Sequence, residues 1–245
     1  MRLLSTALNP RYPHALRGIV LMIAAVSTFT CLDTTSKYLA QHYPVPAIVW
    51  ARYVVHMVLM AIVLGPRMGR ELLRTTNLRL QLIRGVVLAA SSLVFLSALK
   101  LMPLAEAAAI AFMMALYQMM TSKLAGRDAA LTTLFYPAVI GTALVPIAFP
   151  HELMLPSGAL HAGLFVLIGV LGGLGHFLLI RAHDYAPSSV LSPFMYAQLI
   201  TALVLGWIVF RQHPDGLAFA GMATIAASGL LLILGHRRKS VPSTK

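Results

Sequence analysis

Long apolar runs alternate along this chain with short clusters of charged and turn-forming residues. Each run is about 20 residues long, which is the length that an α-helix needs to cross a hydrocarbon core of about 30 Å. The pattern predicts eight membrane-spanning helices, with no soluble domain between them. We expect them at residues 17–39, 44–65, 80–101, 103–123, 129–149, 158–181, 187–210 and 215–235. The predicted fold class is an all-α polytopic membrane protein.

The composition supports a membrane protein. Of the 245 residues, 59% are hydrophobic and 11% are charged, whereas soluble domains carry about 25% charged residues. The mean hydropathy is +0.82. These values exclude a soluble enzyme and a disordered segment. The single cysteine, Cys31, excludes an internal disulfide and a cysteine-ligated metal site. The first apolar run lacks a small-residue cleavage pattern, so we predict an uncleaved helix and not a signal peptide.

The positive charges predict an orientation. The chain carries 19 Lys and Arg against 7 Asp and Glu. If the N-terminus is cytoplasmic, all but Lys37, Arg52, Lys100 and Arg211 fall in cytoplasmic segments, and these four lie near the outer ends of spans. The positive-inside rule therefore predicts cytoplasmic N- and C-termini. We expect the membrane to be a bacterial inner membrane. Because the charge is spread over several segments and not gathered on one face, no nucleic-acid partner is expected.

Two short patterns recur along the chain. The segment that contains Pro103 aligns with the one that contains Pro187, and the Thr-Ser-Lys sequence that ends at Lys37 recurs at Lys123. In the predicted topology, each first copy is outside and its repeat is inside. Two halves of opposite topology are typical of secondary transporters, whose substrate site forms near the middle of the membrane between the halves.

Three segments resemble a known family: RGIVLMIAAVSTFTCLDTTSKYLA, GVLGGLGHFLLIRAHDYAPSSVLSPFMYAQL and GMATIAASGLLLIL. They are similar to the EamA-type branch of the drug/metabolite transporter (DMT) superfamily. The most specific part is the glycine-rich helix, the loop at Arg181 and the helix start that follows it. The resemblance implies ten helices in two inverted halves, and transport of small metabolites, amino acids or drugs across the cytoplasmic membrane.

The chain departs from that pattern near residues 113–116. Its fourth span begins like the fourth helix of one half and ends like the first helix of the next. We therefore expect a first EamA-like half at residues 1–113 and a second at 114–245, joined at an internal deletion. The deletion would turn a ten-helix inverted-repeat fold into one of about eight helices.

Ionisable side chains within spans are expensive and often functional. Asp33 is a substrate-pathway candidate, although it lies one helical turn from Lys37 and can pair with it. Arg52 can hold a substrate carboxylate or phosphate through its fork of donors; the alternative is an interfacial anchor. His56 lies one turn deeper and either extends this polar face or packs in the core, and we prefer packing.

The seventh predicted span contains a second group of candidates. Pro193 removes a backbone N–H within the helix and predicts a kink. Broken backbone near the middle of the membrane often marks the binding site of a transporter. Ser192, Tyr196 and Gln198 are therefore further substrate-pathway candidates, with helix packing as the alternative.

The sixth predicted span carries a glycine-rich face. Gly169 and Gly173 have the GxxxG spacing that favours close helix packing. His176, His183 and Asp184 lie near the end of the same span, but two histidines and one aspartate without further ligands do not predict a metal site. No motif of a zinc protease, serine hydrolase or ATP-driven pump occurs.

The sequence favours a secondary transporter that moves a small organic metabolite, amino acid or drug, with export as the expected direction. We expect no enzymatic activity, no cofactor and no metal. The expected partners are a small-molecule substrate and the lipid bilayer, and a homodimer is left open. The alternative is an internally deleted remnant that no longer transports, or a membrane protein that serves as an interaction partner.

Overall fold

The computed structural model describes residues 15–101, 128–186 and 188–211. The regular structure of these residues is helical, and six helical segments are long and apolar enough to cross a membrane, the last of them being Pro193–Phe210. The chain is therefore an all-α polytopic membrane protein. The spans predicted at 103–123 and 215–235 lie outside the described residues, as does the expected junction near residues 113–116.

The described helices up to Tyr185 follow the predicted spans closely, with ends that differ by up to four residues. They are α1 (Ala15–Leu39), α2 (Val45–Met68), α3 (Leu78–Leu101), α4 (Ala130–Ala148), α5 (Gly158–Tyr185), the short α6 (Ser188–Leu191) and α7 (Ala197–Phe210). A 3-10 segment, Gly69–Leu73, follows α2, and another, Ser192–Tyr196, separates α6 from α7. The span that we predicted as one helix over 187–210 is thus interrupted around Pro193.

The chain forms two compact units. One contains residues 1–34 and 177–245, and the other contains residues 35–176. These units do not follow the order of the two expected halves, 1–113 and 114–245. The halves describe ancestry and not packing, so they stay a prediction.

In the unit of residues 35–176, α4 packs against both α2 and α3. Phe135 near the start of α4 shares a buried cluster with Met60 late in α2, and Thr142 accepts a hydrogen bond from Trp50 early in α2. Later residues of α4 therefore contact earlier residues of α2. The two helices run antiparallel.

The contacts of α3 with α4 have the opposite order. Gln81 bonds to Asp128 just before α4, and Gly85 lies against Ile140 further along it. Because a Cβ at Gly85 would lie 2.3 Å from the Ile140 side chain, only glycine allows this approach. The two helices run parallel.

A carboxylate joins the start of α3 to the segment that leads into α4. Asp128 accepts hydrogen bonds from the hydroxyl of Thr75, from the backbone N–H and hydroxyl of Thr76, both at 2.7 Å, and from the Gln81 amide at 2.9 Å. Burial acts to raise the pKa of Asp128, but these hydrogen bonds outweigh it and lower the pKa to about 2. Asn77 caps α3 through a 3.0 Å bond from the Leu80 N–H. The junction fixes where the two helices begin.

In the other unit, the first turns of α1 pack against the last turns of α5. Ile19 and Met22 share a buried cluster with Ala182 and Ala186. A Cβ at Gly18 would lie 3.0 Å from the carbonyl oxygen of Ala182, so glycine permits a close helix contact here. The contact buries apolar side chains of both helices.

Candidate functional site

A pocket opens among α2, α3, α4 and α5 in the unit of residues 35–176. The pocket has a volume of about 320 Å³ when the space that is open to the surface is included. Its closed part has room for roughly one water molecule. The lining residues are Arg52, Tyr53, His56, Leu88, Leu134, Pro137, Ala138, Gly172 and His176. The polar lining comes from α2 and α5, whereas α3 and α4 contribute apolar residues.

The guanidinium of Arg52 is oriented by neighbours on two helices. Its Nη2 donates a hydrogen bond of 3.3 Å to the hydroxyl of Ser92 in α3. Its central carbon lies 5.5 Å from the centre of the Tyr53 ring, within the range of a cation–π contact. Among the described residues, no carboxylate pairs with Arg52. The pocket therefore contains a positive charge that the described part of the protein leaves uncompensated.

Ser92 uses its whole hydrogen-bonding capacity at this point. Its hydroxyl donates to the carbonyl of Leu88 at 2.9 Å. A hydroxyl has one proton and two lone pairs, so the 3.0 Å contact with the Tyr53 hydroxyl has Tyr53 as its donor, and Arg52 supplies the other donor. With every site of Ser92 occupied, the arrangement holds Arg52 and Tyr53 in fixed positions.

The Tyr53 ring packs directly against Gly141 in α4. Its side chain is 2% exposed, and a Cβ at Gly141 in α4 would lie 2.4 Å from the ring. A larger residue at position 141 would displace the ring. This close contact places the Tyr53 hydroxyl beside Ser92.

Two histidines face each other across the pocket. The rings of His56 and His176 are stacked, with their centres 6.2 Å apart and an angle of 11° between their planes. His56 is 6% exposed, and its Nε2 has no hydrogen-bond partner among the described residues. A buried polar atom without a partner is costly, so this nitrogen is a candidate to contact a ligand.

Glycines on α5 allow it to approach α2. A Cβ at Gly169 would lie 2.2 Å from the Cβ of Val55, and one at Gly173 would lie 3.3 Å from the His56 ring. Gly172, on the same stretch, lies beside the aliphatic part of Arg52. The predicted GxxxG pair thus lies at the contact between α5 and α2, and Gly172 beside it lines the pocket.

Two prolines in α4 leave backbone carbonyls without their helical N–H partners, at the positions four residues earlier. The carbonyl freed by Pro137 belongs to Thr133, and it accepts a hydrogen bond from the guanidinium of Arg84 in α3. The carbonyl freed by Pro146 belongs to Thr142, and it accepts a 3.1 Å bond from the Trp50 indole in α2. Side chains of neighbouring helices thus satisfy both carbonyls. Pro137 and Pro146 were not predicted as sites of a helix break, although two prolines within one apolar run are a visible signal.

The sequence candidates fall in both units. Arg52 lines the pocket described above. Asp33 lies in α1 and Gln198 in α7, both half-buried, and Pro193 lies in the 3-10 segment between α6 and α7. Ser192 and Tyr196 belong to that same 3-10 segment. These five residues are in the unit of residues 1–34 and 177–245, so their place on a substrate pathway stays a prediction.

The described residues contain no group of three or more His, Cys, Asp or Glu side chains placed to hold a metal ion. His183 and Asp184 lie at the end of α5, where Asp184 forms a 3.0 Å ion pair with Arg181. His183 contacts the carbonyl of Leu179 in its own helix through Nδ1.

Comparison with known proteins gives both a family match and several relatives. The model of the EamA-like transporter family matches residues 107–235, which is more than half of the chain. An S-adenosylmethionine uptake transporter of Rickettsia conorii is 24% identical over 131 residues, 54% of this chain and 44% of that protein. A riboflavin transporter of Vibrio cholerae is 28% identical over 130 residues, which are 53% of this chain and 44% of that protein. A pseudopaline exporter of Pseudomonas aeruginosa is 24% identical over 110 residues, which are 45% of this chain and 39% of that protein.

The matched segments cover less than half the length of each of these relatives. No solved structure matches the chain. The family match extends over the helices that carry the glycine-rich face and the break at Pro193. The chain therefore belongs to the EamA-like transporter family of the DMT superfamily.

Proposed function

We propose that this protein is a secondary transporter that moves a small organic metabolite, amino acid or drug across the cytoplasmic membrane. The observation that carries the proposal is the pocket at Arg52, within helices long enough to span a bilayer, in a chain of a transporter family. A charge in a membrane-spanning helix costs at least about 2.5–3.5 kcal/mol on insertion scales. Such residues are retained where they serve a substrate or ion path.

The named relatives support a small organic solute as the substrate. Their names refer to S-adenosylmethionine, riboflavin and pseudopaline. They also refer to both uptake and export, so they do not distinguish the direction. Export, cytoplasmic termini and an inner-membrane location stay our predictions.

Transport would proceed by alternating exposure of a site between two inverted halves, as in other transporters built from inverted repeats. The pocket has room for little more than a water molecule in the conformation described here. Passage of an organic solute would therefore require the helices around it to move apart. Asp33, Ser192, Tyr196 and Gln198, which belong to the other unit, stay substrate-pathway predictions.

Flux into vesicles tests this proposal. The purified protein would be reconstituted, and amino acids, nucleoside-like metabolites and dyes would be screened for uptake or release. We expect flux of at least one solute, and we expect Arg52→Ala to reduce it at least about tenfold because the variant loses charged contacts. The matched control is Arg67→Ala, since Arg67 is on the same helix but bonds to the carbonyl of Val63 at the exposed end.

Two negative results of the flux experiment would lead to different conclusions. Unchanged flux in Arg52→Ala would remove the pocket from the pathway. No flux of any solute by a folded, reconstituted wild-type protein would contradict transport and favour the alternative, a remnant that no longer transports.

A further inference from the structure

Two polar groups in the pocket have unused hydrogen-bonding capacity. The Arg52 guanidinium carries five N–H donors, and Ser92 is its hydrogen-bond partner among the described residues. The buried Nε2 of His56 has no partner in the same part of the chain. Both groups line one pocket. The bond from Arg52 to Ser92 joins α2 to α3 through one N–H and leaves the other donors of the guanidinium for a ligand.

The two groups lie on one face of α2. Arg52 and His56 are four residues apart, so their Cβ atoms are about 6 Å from each other along the helix surface. A group seated between them can accept hydrogen bonds from both. An oxyanion accepts several bonds, whereas a cation would be repelled by the guanidinium and a neutral amide would leave a charge uncompensated.

The shape of the pocket limits the kind of anion. Its closed part has room for roughly one water molecule, and the Tyr53 ring covers one side of the guanidinium. Because the Tyr53 ring lies against one face of the guanidinium, we infer that a ligand meets the planar edge of the fork, which matches a flat carboxylate better than a tetrahedral phosphate.

We propose that this pocket binds the carboxylate of the transported solute, with the Arg52 guanidinium and the Nε2–H of His56 as its donors. Ser92 and Tyr53 are positioning residues, because they fix the guanidinium and leave its edge directed into the pocket. The rest of the solute lies toward the pocket mouth. This inference rests on the proposed transport function and adds the substrate class to it.

Tryptophan fluorescence can report binding at this site. The chain has two tryptophans, Trp50 and Trp207. Trp207 is 59% exposed on α7, so Trp207→Phe leaves Trp50 as a single reporter two residues from Arg52. The purified variant would be titrated with cyclohexanecarboxylate and with its neutral isostere, cyclohexanecarboxamide, neither of which absorbs where tryptophan does.

We expect a saturable fluorescence change with the carboxylate and an affinity at least about tenfold lower for the carboxamide. In this background, Arg52→Gln should abolish the preference for the carboxylate. His56→Gln should weaken carboxylate binding several-fold while retaining part of the preference. If Arg52→Gln does not fold, Arg52→Lys keeps the charge without the fork and should still weaken carboxylate binding about tenfold.

The positioning role of Ser92 has its own readout. Ser92→Ala should reduce the ratio of carboxylate to carboxamide affinity, and Ser92→Thr, which keeps the hydroxyl, should restore it. A purely structural role would lower the yield or stability of both variants without changing this ratio.

Several results would overturn the proposal. These are equal binding of the carboxylate and the carboxamide, an unchanged preference in folded Arg52→Gln, and inorganic phosphate that binds as tightly as the carboxylate. The vesicle experiment separates this inference from the proposed function. Flux of a cationic or neutral solute that cyclohexanecarboxylate does not inhibit would leave transport standing and refute the carboxylate site, whereas no flux at all would refute transport.

Discussion

Replacing Asp128 with alanine should destabilise the protein far more than its position outside the spans suggests. The carboxylate accepts four hydrogen bonds that join the start of α3 to the start of α4. Thr76 is exposed, so its donors can return to water. Gln81 is 0% exposed, and its amide would lose its acceptor inside the protein.

The expected loss of stability follows from the difference in exposure between Thr76 and Gln81. Leaving a buried donor without a partner costs about 1–3 kcal/mol, and the exposed bonds add little because water replaces the carboxylate. We therefore expect Asp128→Ala to lower the free energy of unfolding by about 1–2 kcal/mol, which corresponds to about 3–6 °C in Tm for a chain of this size. Asp128→Asn should lose less, since the Gln81 amide can rotate and let its oxygen accept from the new side chain.

Thermal unfolding of the detergent-purified protein, followed by circular dichroism, measures these shifts. The matched control is Asp184→Ala, because Asp184 pairs with Arg181 at the surface, where the two side chains are 51% and 48% exposed. Such a pair contributes less than about 1 kcal/mol. Equal Tm shifts for the two alanine variants would refute the reasoning about the buried amide.

The same junction gives a dependence on pH. The pKa of Asp128 is lowered from 3.8 to about 2, so the carboxylate stabilises the folded state fully above pH 3.8. This stabilisation is lost as the pH falls through about 2. The Tm difference between the wild type and Asp128→Asn should stay constant from neutral pH down to about 5 and shrink below about 4. A difference that shrinks between neutral pH and 5 would contradict this account.

Two further substitutions test the packing of the unit of residues 35–176. Gly141→Ala should destabilise the protein by about 1–3 kcal/mol, because the new Cβ would lie 2.4 Å from the Tyr53 ring; the control, Gly163→Ala, meets nothing within 4 Å and should be neutral or stabilising in thermal unfolding. Tyr43→Phe should lower Tm by a few degrees, since the Tyr43 hydroxyl accepts a 2.8 Å bond from the Ser157 backbone N–H. An unchanged Tm in Gly141→Ala or Tyr43→Phe would show that these contacts relax at no cost.

The candidate site was partly predictable. Arg52 stands out in the sequence because a charge within an apolar run is rare, and the structure places it in the pocket. His56 was expected to pack in the core, and it is buried there, but the part of the chain that the structure describes offers its Nε2 no hydrogen-bond partner. A sequence gives the depth of a histidine in a span but not the hydrogen-bond partners around it. Ser92, which holds Arg52 and Tyr53, was missed because a serine in an apolar helix usually bonds to its own backbone.

The prolines of α4 also show that a sequence does not reveal which residues form a hydrogen bond. Pro137 and Pro146 mark the carbonyls that lose their helical partners, and those positions follow from the sequence alone. The groups that satisfy the carbonyls do not, since Arg84 is 49 residues away from its acceptor and Trp50 is 92 residues away from its own. Only the packing of α4 against α2 and α3 brings them together.

The sequence by itself determined the class of the protein and the ends of the described spans to within a few residues. It can do so because the thickness of the bilayer sets the length of each apolar run, which is a local property. The tertiary structure decided which helices are neighbours, where α6 gives way to α7, and which polar groups share the pocket. Those features depend on contacts between residues far apart in the chain, at places where glycines let two helices approach.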